Sequence, residues 1–160
     1  MVDTELFDWK RLRTVVVYGE INQTTCQPLI EQLLTLGSEN KPFQLLFHAY
    51  GEDLQAGLML YDVIRGLGTQ VKTIAIGEVY NAALLPFLAP PREHRSVLSH
   101  ASLVRENKNE GHLTIVFDQI LARQTGQPLE RIEQHRTFKL PAQQAQVQGH
   151  VGVVIDLIFK

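Results

Sequence analysis

The chain has 160 residues, 44% of them apolar and 20% charged, with a net charge of −2. That length suits one domain with a sizeable core, the near-neutral charge gives no basic field for nucleic acid or anionic lipid, and no apolar run approaches the ~20 residues of a membrane span. The opening residues MVDTELFDWKRLR lack the basic-then-apolar order of a secretory signal, and the single cysteine, Cys26, excludes an internal disulfide or an all-cysteine metal site, so the expected compartment is the cytoplasm or an organelle stroma.

In chain order, residues 5–13 are expected to form a short amphipathic helix around Leu6, Phe7, Trp9 and Leu12. Residues 14–21, TVVVYGEI, form a β-rich strand. Asn22 or Thr24 can cap a helix that tolerates Pro28 near its first turn and ends at Gly37. Cys26 falls in that first turn, where a lowered thiol pKa is one outcome and a small apolar plug the simpler one. Residues 43–51 make a second strand, and Asp53 caps a second helix closed by Gly66 or Gly68. Residues 71–76 alternate as a buried strand, Gly77 and Glu78 make a sharp break, and residues 82–89 carry no charge and form a buried helix. Strands follow at 96–98 and 101–105, then a polar stretch and a helix over 113–126. A helix opening at Pro128, a short one stopped by Gly149 and a strand over 151–159 complete the chain. Strand and helix alternate without repeats or linkers, which argues a single α/β domain over 1–160, its parallel strands joined by right-handed crossovers.

The corner between the third strand and its buried helix is where several hydrolase folds present a nucleophile. Here the corner residue is Asn81, whose carboxamide has no hydroxyl or thiol with which to attack. There is no zinc spacing, no phosphate loop and no dinucleotide glycine pattern, so neither metal nor cofactor is expected. The six histidines, His48, His94, His100, His112, His135 and His150, show no helical pairing. Glu52 and Asp53 could act as an acid/base pair, but at a helix start capping explains them better.

Five segments carry a resemblance: GEI (19–21), AGLMLYDVIR (56–65), VKTIAIGEV (71–79), RSVLSHA (95–101) and TGQPLERIE (125–133). The run 15–154 resembles the ClpP family, the proteolytic subunits of the Clp protease, which are self-compartmentalising serine peptidases. The resemblance implies a ClpP/crotonase-like fold of repeated β-α-β units with a mostly parallel sheet. It also implies truncated axial loops and, over 106–124, a shortened form of the handle by which two heptameric rings interlock. It places Asn81 at the position of the nucleophilic serine and Ala82 at that of the next residue. His100 falls at the histidine position and, counting back from Gly149, Thr137 at the aspartate position. The turn YGED puts Gly51, Glu52 and Ala82 at the oxyanion and groove positions.

A lone imidazole cannot build an acyl-enzyme, so the chain is expected to be a catalytically degenerate, ClpR-like subunit with no intact triad. The partners implied are further copies in a ring, active ClpP-like subunits and an AAA+ unfoldase, with ring contacts through helices near 29–36 and 58–64. Neither nucleic acid nor membrane is expected. The alternatives are a stand-alone homo-oligomeric scaffold or binding protein, which the shortened handle favours, and a repurposed crotonase-like enzyme using His100 with Asp53 or Glu52.

Overall fold

The computed structural model describes residues 13–107 and 111–156, so the helix expected over 5–13 lies outside the described residues. The sheet has seven strands: β1 (Arg13–Glu20), β2 (Phe43–Tyr50), β3 (Val71–Tyr80), β4 (Arg95–Leu98), β5 (Ser102–Arg105), β6 (Phe138–Pro141) and β7 (Val153–Ile155). Its path runs β1-β2-β3-β4-β7 with all pairs parallel. Phe43 to Phe47 of β2 are buried without interruption, as a parallel strand covered on both faces must be.

The helices start where the sequence supplies acceptors. Asn22, not Thr24, caps α1 (Gln23–Gly37): its side chain accepts from the N–H groups of Thr24 and Thr25, and the Thr25 hydroxyl accepts from the N–H of Asn22. Asp53 caps α2 (Leu54–Leu67) by accepting from the N–H of Ala56 at 3.0 Å, and Gly68, with φ +73°, closes it. That capping role explains Asp53 without acid/base chemistry. Cys26 is buried with its thiol against the Ala56 carbonyl, and burial, with Asp53 adding, pushes its pKa up to about 11. The thiol is therefore a plug and not an activated group, contrary to the reactive outcome.

The break expected at Gly77 and Glu78 is a bulge, and β3 continues through it to Tyr80. Phe47 pairs with Ala75 and Ala49 with Val79, so β3 carries extra residues opposite His48. The His48 Nδ1 accepts the Glu78 N–H at 3.1 Å, replacing the ladder bond lost there. Gly77 is required by this close approach, since a Cβ there would run into the His48 ring. Beyond the bulge β3 changes neighbours: Thr73–Ala75 pair with β4, whereas Glu78–Tyr80 pair with β5. The end of β3 is thereby carried out of the main sheet toward a corner.

At that corner Asn81–Ala83 form a single 3-10 turn leading into α3 (Leu84–Phe87), and every residue from Asn81 to Pro90 is buried. The Thr73 hydroxyl donates to the Phe87 carbonyl at 2.8 Å, and Gly57 lets α2 pack directly on the Ala82 backbone. The rest of the chain comprises α4 (His112–Thr125), α5 (Leu129–Gln134) and α6 (Ala142–Val147). Strand β6, antiparallel to β5, lies where the sequence suggested only the approach to a short helix.

Arg95 ties this half together. Its buried guanidinium donates to the carbonyls of Leu88, Pro90, Gln124 and Gly149, at 2.6 to 3.3 Å. Burial, with Arg92 adding, lowers its pKa to about 10, which still leaves it cationic at neutral pH.

Candidate functional site: a filled corner at Asn81

Asn81 has φ +49°, in the left-handed region, between an extended strand and a helical turn. That is the shape of a nucleophile elbow, and asparagine tolerates it better than most residues. The side chain is 4% exposed and held from both ends. Its Oδ1 accepts the N–H of Glu106 at 2.7 Å, and its Nδ2 donates to the Glu52 carboxylate at 3.2 and 3.3 Å. The Tyr80 hydroxyl donates to Glu106 Oε2 at 2.8 Å. The remaining cleft, lined by Glu52, Leu54, Asn81 and Glu106 among others, is about 20 Å³, room for roughly one water.

Three of the groove positions named from the sequence converge here. Ala82 is fully buried, and its N–H donates to the Gly51 carbonyl at 2.9 Å. The amide at the position that the resemblance gives to the oxyanion and groove is thus already bonded within the chain. Glu52 lies against the carboxamide and sets a negative charge beside it.

His100 is not brought to Asn81. Strand β4 ends at Leu98, Ser99 to Ala101 form a turn in which the Ala101 N–H donates to the Leu98 carbonyl, and His100 is exposed. Strand β5 starts after that turn, with Ser102 opposite Glu78 and Val104 opposite Tyr80, so the residue that arrives beside Asn81 is Glu106. The turn that carries His100 precedes Ser102, and Ser102 to Glu106 spans roughly 13 Å at ~3.3 Å per residue, so His100 belongs to the opposite end of that run from the residue at the corner. The segment VLSH imitates a strand that ends in histidine, and the turn at Ser99–Ala101 breaks it. ASLVRE reads locally as an apolar run ending at a polar loop, but the arrival of its last residue beside Asn81 depends on the β3–β5 register, which no local signal carries. Thr137 lies next in line, its hydroxyl accepting the N–H of Asn107 at 3.2 Å. The corner therefore holds a carboxamide and a carboxylate at Asn81 and Glu106, with the Thr137 hydroxyl beyond them, bonded to the Asn107 N–H. None of the three is both nucleophilic and adjacent to a base.

The wall behind the corner is ionic. Arg105 and Asp118, 2% and 1% exposed, pair at 2.8 Å, and Arg136 donates to the other Asp118 oxygen from Nε and from its terminal nitrogen at 2.9 and 2.7 Å. Arg105 also stacks over the Phe117 ring at 4.2 Å. Burial lowers the Arg105 pKa, and its bond to Asp118 offsets part of that shift. Among the described residues no cluster of three or more histidine, cysteine, aspartate or glutamate side chains could hold a metal ion. Nor is any helix among them long and apolar enough to cross a membrane.

Comparison with known proteins places this geometry. The Clp protease family model matches residues 4–111. The chain is 30% identical to the ATP-dependent Clp protease proteolytic subunit 2 of Chlamydia muridarum, over 90% of this chain and 81% of that protein. It is also 30% identical to the ATP-dependent Clp protease proteolytic subunit of Paracoccus denitrificans, over 88% and 80%. Among solved structures, ClpP1 from Listeria monocytogenes aligns with a TM-score of 0.82 at 29% identity, over 90% of this chain and 91% of that one. The ClpP protease catalytic domain from Plasmodium falciparum shares the fold, with a TM-score of 0.83 at 23% identity over 92% and 87%.

Proposed function

Because the chain belongs to the Clp protease family, we propose that it is a non-catalytic ClpP-like subunit that contributes to or regulates the ring assembly of an ATP-dependent Clp protease. One observation carries this reading: the corner that would present a nucleophile holds Asn81, clamped between Glu52 and the backbone of Glu106. The Ala82 N–H bonded to Gly51 supports it, because no donor is left aimed into the cleft from that residue. A scaffold kept intact while its reacting group is replaced by an amide has its remaining use in its outer surfaces. Leu34 and Met59, at 53% and 38% exposure, lie on the two helices expected to meet neighbouring subunits. The cytoplasm or an organelle stroma, with active subunits and an AAA+ unfoldase as partners, belongs to the same proposal.

Co-expression with catalytic ClpP subunits, followed by native mass spectrometry, tests it. Mixed rings containing this chain are the expected product. Rings made of this chain alone, with the catalytic subunits assembling separately, would replace the proposal with the stand-alone scaffold.

A further inference from the structure

A second cavity, of about 180 Å³, borders Thr137 and is lined by Gln127, Arg131, Ile132, Phe138, Leu140 and His150 among others. An apolar cavity of ~150 Å³ accommodates a benzene ring, so this one has room for a small organic body. Ile132 and Leu140 are buried, and with the half-buried Phe138 they supply an apolar wall. No acidic residue lines the cavity.

His150 is the polar group that this apolar setting does not explain. It is 2% exposed, and neither ring nitrogen has a hydrogen-bond partner. Its ring lies 5.5 Å from that of Phe138. The backbone that carries it is fixed on both sides by cations: Arg95 donates to the Gly149 carbonyl at 3.1 Å, and Arg92 to the Val151 carbonyl at 3.2 Å. Its own N–H donates to the Ala145 carbonyl at 2.9 Å. Burial first, then Arg95 and Arg92, hold the imidazole at a pKa of about 4, so at neutral pH it offers one N–H donor and one acceptor nitrogen. At the rim, the Arg131 side chain has no partner among the described residues and stands exposed. An unpaired guanidinium at Arg131, an unsatisfied buried imidazole whose backbone Arg92 and Arg95 hold from behind, and an apolar wall without acids describe a receptor for an anion with an apolar body. A phosphate would need several converging donors and has no apolar body to place on Ile132, Phe138 and Leu140. A planar carboxylate matches the arginine fork and needs fewer.

We infer that this cavity binds a small organic carboxylate, its body against Ile132, Phe138 and Leu140 and its charged head served by Arg131 and His150. The site requires neither an active corner nor a mixed ring, so its test is independent of the proposed function.

The probes are phenylacetate and isovalerate, each paired with its neutral amide, titrated into the full chain and followed by amide NMR shifts. The acid is expected to bind at least ~10-fold more tightly than the amide, the factor a charge-assisted bond of about 1.4 kcal/mol supplies, with shifts centred on residues 127–150. Arg131→Gln, an exposed change that leaves the fold alone, is expected to remove that preference, and His150→Leu to weaken both acid and amide. Equal affinity for acid and amide, no saturable shift from either acid, or an Arg131→Gln protein that still prefers the acid would overturn the assignment.

Discussion

The Asn81 corner and the His150 cavity lie close together, linked through the Asn107–Thr137 hydrogen bond, yet they treat buried polarity in opposite ways. At the corner the chain satisfies its own groups: both ends of the Asn81 carboxamide are bonded, the Ala82 N–H is bonded, and the cleft measures about 20 Å³. At the cavity the most buried polar side chain is left without a partner beside about 180 Å³ of space. Burying an unsatisfied polar group costs ~1–3 kcal/mol, so a fold that avoids the cost at one place and accepts it next door has closed the first site and kept the second open.

The largest expected effect tests whether the wall belongs to the corner's rigidity. Asp118→Asn leaves Arg105 buried and uncompensated and loosens Arg136, which precedes Thr137 in the chain. A loss of about 3–5 kcal/mol in urea unfolding is expected. A loss near zero would mean that the ion pairs merely decorate the wall.

The cavity has the next largest effect, and it depends on pH. The folded pKa of His150 is about 4, below the ordinary 6.5, so the unfolded chain binds more protons than the folded one between those values. Stability is therefore full above pH 6.5 and falls as the pH drops from about 6.5 toward 4, by on the order of 3 kcal/mol in total. In His150→Leu that part of the pH dependence should vanish, as measured by urea midpoints across the range. If the midpoint still falls by the same amount, the imidazole is not the group that titrates.

The pattern of what the sequence made legible has a physical basis. Strands β1 to β3 and helices α1 and α2 could be read because their apolar periods and their caps, Asn22 and Asp53, are local signals. Asn81 was legible for the same reason, since a strand, a turn and an uncharged helix define a corner without any distant contact. Glu106 was not, because its arrival beside Asn81 depends on the β3–β5 register, which the turn at Ser99–Ala101 sets. Strand β6 escaped because a four-residue strand ending in Pro141 carries no alternation to detect and borrows its pairing from β5. The His150 cavity was invisible for a third reason: one histidine after Gly149 says nothing about burial until Arg92 and Arg95 are seen to hold the backbone around it.

The claim that the corner is chemically silent is tested most directly by intact-mass analysis after incubation with a fluorophosphonate, which marks activated hydroxyl nucleophiles. The account predicts an unchanged mass for the purified chain. A single adduct mapped to a serine, threonine or cysteine bordering the Asn81 cleft would contradict it.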